Sequence, residues 1–289
     1  MPELPEVETI RRELTPHITG RSITSLTLIW KGIIPASSEE GFRARLIGQE
    51  ITGLYRRGKY LAIRLASGDS LIIHLRMTGS LLLKSGGDQP ERFVRAVIHL
   101  DRNISIHFRD PRKFGLMWLC QDTDSLDKKL GVEPLEASFT ADLLASLLKN
   151  RKAPIKALLL EQKLIAGIGN MYADESLFSA GIHPLRPGGS LSKKEVKRLH
   201  RSIRKILRAA IEQKGASVNT YYRPGGEEGI AQFSFRVAHR LGGNNCSVCD
   251  IPIERVTVRN RGTYFCPACQ PEVKTETSGD HRHKQKAPR

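Results

Sequence analysis

Residues 246–269 read CSVCDIPIERVTVRNRGTYFCPAC, so that two Cys-x-x-Cys pairs, Cys246/Cys249 and Cys266/Cys269, enclose the sixteen residues 250–265. Each pair can place two thiolates on one tetrahedral metal ion, and the spacer suits a β-hairpin. Two disulfides are the alternative, which the absence of an export signal at the N-terminus makes the weaker one. The pattern therefore predicts a zinc-ribbon hairpin in which the four cysteines hold one structural Zn²⁺.

The charge of the chain points to a polyanionic partner. Lys and Arg number 46 against 30 Asp and Glu, which gives a formal net charge of +16. Such a balance attracts nucleic acid or an anionic membrane surface. No run of about 18 apolar residues is present to span a bilayer. We therefore expect a cytoplasmic protein that binds nucleic acid rather than membrane, and since no feature demands an oligomer, a monomer.

Apolar periodicity divides the chain into a strand-rich half and a helical half, which predicts an α+β fold. A first helix is predicted from Pro5 to Leu14, ended by Thr15-Pro16. Alternating residues between 23 and 119 predict an antiparallel β-sandwich. Helices follow over 141–148, 155–164 and 171–180, and a long one begins at the capping pair Ser192/Glu195. The predicted domains are 1–120 (β-sandwich), 121–136 (linker), 137–232 (helical), 233–270 (zinc finger) and 271–289 (disordered basic tail).

Basic and glycine-rich loops supply candidate phosphate contacts in each predicted domain. The break at 167–170 separates two helices, so Asn170 and the amides that open the second helix can receive an anion. The zinc hairpin carries Arg255, Arg259 and Arg261, and the sheet half carries basic loops at 56–59 and 109–114. Basic loops are often only solvated, but several in one basic chain predict a cleft that binds duplex DNA.

The first residues offer a nucleophile. Removal of Met1 would leave Pro2 as a secondary amine, and a chain-terminal amine has a pKa near about 8, so that a fair fraction is neutral. Such an amine can attack a carbon at the aldehyde oxidation level, as at C1′ of a nucleoside. Glu3 and Glu6 follow closely. On this spacing alone, a plain N-terminus whose carboxylates favour the start of a helix remains the alternative.

The wider pattern of motifs resembles that of the bacterial formamidopyrimidine-DNA glycosylases, which excise 8-oxoguanine and ring-opened purines. The resemblance rests on PELPEVET at 2–9, RGKYL at 57–61, HLRMTGS at 74–80, DPRKFG at 110–115, LGVEPL at 130–135, GIGNMYADE at 167–175 and the four cysteines. Order and spacing agree over about residues 2 to 269. The resemblance implies an N-terminal catalytic domain, a helix–two-turn–helix domain with a lesion loop, and a nucleoid-associated bacterial repair enzyme.

The resemblance also implies roles for the catalytic residues. Pro2 would form the Schiff base with C1′ of the damaged nucleotide, and Glu3 would protonate the sugar ring oxygen. Glu6 would position that end of the helix and shuttle protons. Lys59 would contact the neighbouring phosphate and serve β-elimination, while Arg261 would hold phosphates and assist δ-elimination. The implied enzyme is a bifunctional DNA glycosylase and AP lyase of base excision repair, a glycosidase (hydrolase) and a lyase in one chain.

Further residues would hold the DNA. Met77, Arg112 and Phe114 match the family's residues that fill the hole left by the flipped base. Asn170 matches the helix–two-turn–helix clamp, and Arg151 or Lys152 would add a phosphate contact. Phe93 or Arg95 stands where relatives carry a DNA-contacting histidine. For Met77 and Phe114 taken alone, packing in a core is the default interpretation.

The sequence departs from the family in the segment that would cap the flipped base, Ala216 to Gln232. Where many relatives have Gly-Tyr, this chain has Gly229-Ile230, and Val132 stands where proline is common. These departures leave the base preference open. Alternatives are the sibling glycosylase that prefers oxidised pyrimidines, a non-catalytic zinc-finger DNA-binding protein, and an RNA-binding protein. Members of the sibling branch usually continue differently after Pro2-Glu3, so Leu4-Pro5-Glu6 favours the purine branch.

Overall fold

The computed structural model describes residues 1–34, 38–85, 87–121, 126, 128–218, 220–239 and 244–272. Its first half contains α1 (Leu4–Ile18), β1 (Ile23–Leu28), α2 (Glu39–Leu46), β2 (Ile51–Arg57), β3 (Tyr60–Leu65), β4 (Ser70–His74), β5 (Ser80–Ser85), β6 (Val94–Leu100), β7 (Ile104–Arg109) and β8 (Leu116–Cys120). Its second half contains α3 (Ala141–Leu148), α4 (Ile155–Leu159), α5 (Asn170–Ala180), α6 (Lys193–Glu212), β9 (Glu254–Val258) and β10 (Arg261–Phe265).

The strands of the first half form two four-stranded antiparallel sheets, ordered β1-β6-β7-β5 and β2-β3-β4-β8. The apolar residues of both sheets pack with the apolar stripe of α1 into one core, and Val7, Ile10 and Leu14 of that stripe are buried. This is the predicted sandwich with a helix at its start, so the α+β fold class is confirmed. Because α1 is packed against the sandwich, its N-terminal end is held in a fixed position.

Helix α1 does not end at Leu14, and that boundary was wrong. The helix continues to Ile18 with Pro16 inside its last turn. A proline there removes only one intrahelical hydrogen bond, and burial of the Ile18 side chain, which has 0% exposed surface, favours the extra turn. Helix α2 was not predicted, because it buries only Phe42 and Leu46 and its apolar period is correspondingly weak.

Strands β2 and β3 form one hairpin and strands β6 and β7 another, whereas β4 and β5 lie in different sheets. The chain turns at Gly58-Lys59, at 75–79 and at 101–103. Gly58 has φ +56°, and both Arg102 and Asn103 lie in the left-handed region. Tight turns of this kind need positive φ, which Gly and Asn tolerate best. The first turn carries Lys59 to the edge of the sandwich that faces the helical half.

The helical half has its own core, formed mainly by α3, α5 and α6 and the loop between α4 and α5, and reached by Leu4 of α1. The predicted capping box at the start of α6 is present: Glu195 N donates to Ser192 Oγ (3.3 Å) and Ser192 N donates to Glu195 Oε2 (2.8 Å). The predicted helix 155–164 stops at Leu159. The predicted tail 271–289 lies outside the described residues except for 271 and 272. Among the residues described, none of the helices has the length and apolar character needed to cross a membrane.

Candidate active site and nucleic-acid interface

The N-terminal end of α1 is held against the loop that joins α4 and α5. Leu4 N donates to Gly167 O (3.0 Å), and a Cβ at Gly167 would stand 2.8 Å from Leu4 Cβ. Pro2 is buried, while Met1 is exposed and lines a cavity of about 130 Å³ together with Met77 and Arg112. Because Met1 is bonded to the nitrogen of Pro2, removing Met1 frees that amine at the wall of the cavity.

Glu3 is fixed against the N-terminus of α5. Its side chain is 1% exposed, and Oε1 accepts a hydrogen bond from Met171 N (3.1 Å). Oε2 is buried and has no hydrogen-bond partner among the described residues. Glu3 therefore has one oxygen that fixes its position and a second that is left to exchange a proton with a substrate.

Glu6 is fully buried and joins three parts of the chain. It accepts hydrogen bonds from Glu3 N (2.7 Å), Tyr172 Oη (2.5 Å) and Ala216 N (2.9 Å). Burial raises the pKa of Glu6, the nearby charge of Glu3 raises it further, and these three donors oppose the shift. The contacts suit the positioning role expected for Glu6, since they tie α1 to α5 and to residue 216.

Lys59 is 7% exposed, and burial lowers its pKa. The charge of Glu3 raises that pKa and the charge of Arg261 lowers it, so the structure brings both of these predicted residues within electrostatic reach of Lys59. A lysine with a lowered pKa has a larger neutral fraction near pH 7, which proton abstraction requires. Lys59 is thus suited to act as a base.

The arginines beside Lys59 do not form the open phosphate site that the basic loop suggested. Arg56 Nη1 lies 2.8 Å from Glu133 Oε2, and Arg57 Nη1 lies 3.0 Å from Glu133 Oε1. Gly58 N also donates to Glu133 Oε1 (2.5 Å), and Arg56 reaches Glu8 as well. Both guanidinium groups are therefore neutralised by carboxylates, and Glu133 fastens the turn of Lys59 to the linker. The sequence alone does not distinguish arginines that are paired with carboxylates from arginines that are open to a phosphate.

Arg261 is exposed at the start of β10, directly after the turn at Arg259-Asn260. The carbonyl of Gly262 beside it accepts hydrogen bonds from Asn170 Nδ2 (2.9 Å) and Lys156 Nζ (3.2 Å). Asn170, expected as a phosphate ligand, therefore also fixes the hairpin that carries Arg261. Its Oδ1 is buried and unpartnered among the described residues.

Lys156 and Asp174 are buried residues that the sequence interpretation missed. Lys156 Nζ lies 2.7 Å from Asp174 Oδ1 and donates to Thr263 Oγ1 (2.8 Å), while Asp174 Oδ2 accepts Tyr264 N (3.2 Å). Burial lowers the pKa of Lys156 and raises that of Asp174 to about 7, with the partner's charge opposing each shift. The pair anchors the zinc hairpin to α4 and α5. Asp174 lies in the motif GIGNMYADE at 167–175, and that motif was the signal that could have identified it.

The four cysteines form the predicted metal site. Their sulfur atoms all lie within 4.8 Å of one another, with Cys249 and Cys266 at 3.4 Å and Cys246 and Cys269 at 3.8 Å. Sulfurs bound at about 2.3 Å to one tetrahedral zinc ion stand about 3.8 Å apart, whereas a disulfide requires about 2.0 Å. The donor set therefore fits one Zn²⁺, which fixes the two ends of the β9–β10 hairpin.

Met77, Arg112 and Phe114 form an exposed cluster, of which Met77 and Arg112 line the cavity. Met77 is 43% and Phe114 46% exposed, Arg112 Nη1 lies 3.3 Å from Met77 Sδ, and the Arg112 guanidinium stands 4.8 Å from the Phe114 ring centroid. The default interpretation that Met77 and Phe114 pack in a core was wrong. Asp110 shapes the loop, since its Oδ2 accepts Phe114 N at 2.7 Å.

The remaining predicted DNA contacts lie in different surroundings. Arg95 donates to the carbonyls of Asp110 (2.7 Å) and Pro111 (3.3 Å), so it supports the loop of Arg112. The ring of Phe93 is within 5.8 Å of three guanidinium groups, including that of Arg95. Arg151 and Lys152 are exposed between α3 and α4. Gly189 N, from the segment that precedes α6, donates to the Arg151 carbonyl (2.8 Å).

Comparison with known proteins agrees with this geometry. Residues 1–117 match the formamidopyrimidine-DNA glycosylase N-terminal domain, residues 130–222 the H2TH domain of the same enzymes, and residues 243–271 a zinc finger found in FPG and IleRS. A formamidopyrimidine-DNA glycosylase of Chloroflexus aurantiacus is 45% identical over 273 residues, which cover 93% of this chain and 98% of that protein.

Solved structures from Lactococcus lactis are similar as well. An FPG variant in complex with DNA containing Fapy-dG superposes with a TM-score of 0.88 at 37% identity, covering 94% of this chain and 100% of the other. An Fpg complex with DNA containing an abasic site gives a TM-score of 0.87 at 37% identity, covering 93% and 100%. The chain therefore belongs to the formamidopyrimidine-DNA glycosylase family.

Proposed function

We propose that this protein is a bifunctional DNA glycosylase and AP lyase of base excision repair, which excises oxidised purines (8-oxoguanine and formamidopyrimidines) from duplex DNA. The observation that carries the proposal is the position of the residues before α1: Met1, which is bonded to the nitrogen of Pro2, lines the cavity, and Glu3 is held against α5. Family membership supports the same activity.

The first step is release of the base. After removal of Met1, the lone pair of the Pro2 amine attacks C1′, the glycosidic bond breaks and the base leaves with the bonding electrons. The Pro2 nitrogen loses its proton to Glu3 Oε2, which is buried without a partner in the described structure, and the departing base takes a proton from solvent. Glu3 then passes the proton from Pro2 to the ring oxygen of the sugar as the bond between C1′ and that oxygen breaks, so that the ring opens. The product is a Schiff base between Pro2 and C1′, whose iminium nitrogen is an electron sink.

The second step is cleavage of the strand. Neutral Lys59, favoured by its lowered pKa, serves β-elimination by accepting a proton from C2′, and the 3′ phosphate leaves. Arg261 stabilises the phosphates and assists δ-elimination of the 5′ phosphate. Water then hydrolyses the Schiff base and restores the Pro2 amine. The strand is cut on both sides of the lost nucleoside.

The remaining predicted residues hold DNA. Met77 and Arg112 line the cavity and Phe114 is exposed beside Arg112, so the three can fill the space that a flipped base vacates. The zinc ion is a structural cross-link that holds the hairpin of Arg261 in place. DNA as the substrate further leads us to expect that the protein associates with the bacterial nucleoid.

Borohydride trapping tests the proposal. A preparation whose Met1 is verifiably gone is mixed with a duplex that carries 8-oxoguanine opposite cytosine, and a covalent complex is expected. Pro2→Gly should weaken trapping strongly, and Glu3→Gln should block base release while sparing DNA binding. Absence of both trapping and nicking would show that the protein is not this enzyme. A panel of oxidised purines and oxidised pyrimidines, each opposite all four bases, then decides between the purine and pyrimidine branches.

A further inference from the structure

Residues 216–230, described except for 219 and called here the wall segment, form one side of the cavity beside the N-terminus. Ala216, Val218, Thr220 and Tyr221 line that cavity opposite Met77 and Arg112. We propose that Glu13 and Ser80 of the sandwich domain, by holding Arg223 and its neighbours in the wall segment, determine which damaged base this protein accepts. The proposal rests on the proposed function, since a choice between bases exists only in an enzyme that releases one.

The wall segment is a closed loop with its own internal hydrogen bonds. Ala216 and Ile230 form an antiparallel bridge at its two ends. Ser217 Oγ accepts Gly229 N (2.9 Å) and donates to Tyr221 O (2.8 Å). Ala216 N is bound in turn by Glu6, the buried carboxylate of α1. The shape of the loop is therefore set before any DNA binds.

The backbone of the wall segment is fastened to the edge of a sheet. Strand β5 is the last strand of its sheet, and its Leu83 N donates to Pro224 O (2.7 Å). Ser80 Oγ donates to Thr220 O (3.1 Å) and accepts Tyr222 N (3.2 Å). Ser80 has 0% exposed surface, so these two bonds are shielded from competing water.

Side chains add a second attachment, to the helix that carries the nucleophile. Arg223 Nε and Nη2 lie 3.0 Å and 2.8 Å from Glu13 Oε1, and Glu13 belongs to α1. The guanidinium of Arg109 stands 5.4 Å from the Tyr222 ring centroid and 5.5 Å from that of Phe93. The wall that faces the base and the helix that carries Pro2 are thus joined directly.

This double attachment fixes the distance between the wall and Pro2. A base that fits the fixed space binds without the cost of ordering a loop. A base of another shape must displace Pro224 from β5 or Arg223 from Glu13. Because an abasic site has no base to meet the wall, its cleavage depends on Pro2 and Lys59 but not on this attachment.

The test compares three duplexes, which carry 8-oxoguanine opposite cytosine, an oxidised cytosine opposite guanine, and an abasic site. In Arg223→Ala and in the milder Glu13→Gln, kcat/KM for 8-oxoguanine should fall about tenfold, chiefly through KM, while abasic cleavage stays within about twofold. The ratio of purine cleavage to pyrimidine cleavage should fall together with kcat/KM for 8-oxoguanine. Exchanging the charges, in a double variant Glu13→Arg with Arg223→Glu, should restore most of the ratio.

Arg45→Ala is the matched control, since Arg45 forms a similar fork on Asp69 (3.0 Å and 2.7 Å) away from the wall segment, and it should change neither ratio nor rate. The proposal is overturned if Arg223→Ala and Glu13→Gln leave the purine-to-pyrimidine ratio unchanged, or lower abasic cleavage as much as purine cleavage. Failure of the proposed function is a separate result, because the unmodified protein would then fail to release 8-oxoguanine, whatever it does with the other two duplexes.

Discussion

Gly169→Ala is a small change with a large expected effect on base release. Gly169 directly precedes α5 with φ −126° and ψ −161°, which alanine adopts without strain. The added Cβ would stand 2.2 Å from Glu3 Cδ and 2.4 Å from Oε1, whereas carbon atoms in contact are normally about 3.5 Å apart. The Glu3 carboxyl must therefore move by roughly 1 Å, and a displacement of that size costs about 10²-fold in rate.

The assay is single-turnover release of 8-oxoguanine, with thermal unfolding measured in parallel. We expect base release by Gly169→Ala to be slower by about 10²-fold, and overpacking to lower the free energy of unfolding by about 1–3 kcal/mol. Gly87→Ala is the matched control, since a Cβ there has open space and the glycine has no positive φ. A folded Gly169→Ala variant that releases the base at the parent rate would refute the assignment of Glu3 as the acid.

Three further outcomes follow from the charges and the metal site. The rate of β-elimination on abasic DNA should rise with pH and level off below pH 10.5, because burial lowers the pKa of Lys59. Lys59→Gln should abolish that rise. A midpoint at the ordinary lysine pKa would contradict the role of Lys59 as the base. The hydrogen bonds of Glu8 with Arg11 and Arg12 lower its pKa from 4.5 to about 2 against the opposing effect of burial, so its stabilisation is present above pH 4.5 and is lost as the pH falls towards 2. Glu8→Gln should flatten acid unfolding in that window, and an unchanged acid transition measured by circular dichroism would count against the pairing. Chelation of zinc should weaken binding to a lesion duplex, since the hairpin positions Arg261, and full affinity after confirmed metal loss would exclude that role.

Local patterns in the sequence predicted much of the fold. The cysteine spacing predicted the hairpin and its metal, and Ser192 with Glu195 predicted the start of α6, because both signals lie within one short stretch. The end of α1 was missed because burial of Ile18, a tertiary effect, outweighs the proline in the last turn.

The site was less accessible to sequence reasoning, since its supports are distant in the chain. Glu133 binds Arg56 and Arg57 from 77 and 76 positions away, and Lys156 binds Thr263 from 107 positions away. No periodicity or spacing links such pairs. The residues that a motif names directly, such as Glu3 and Lys59, could be found, but which of their neighbours are paired and which are open required the structure.

The identity of the nucleophile can be measured directly. The complex trapped by borohydride on a duplex with 8-oxoguanine is digested with nuclease and protease, and the modified peptide is located by mass spectrometry. We predict that the sugar remnant is attached to the N-terminal amine of Pro2, in a peptide that lacks Met1. A remnant on Lys59, or trapping that survives with Met1 still in place, would contradict the assignment of Pro2.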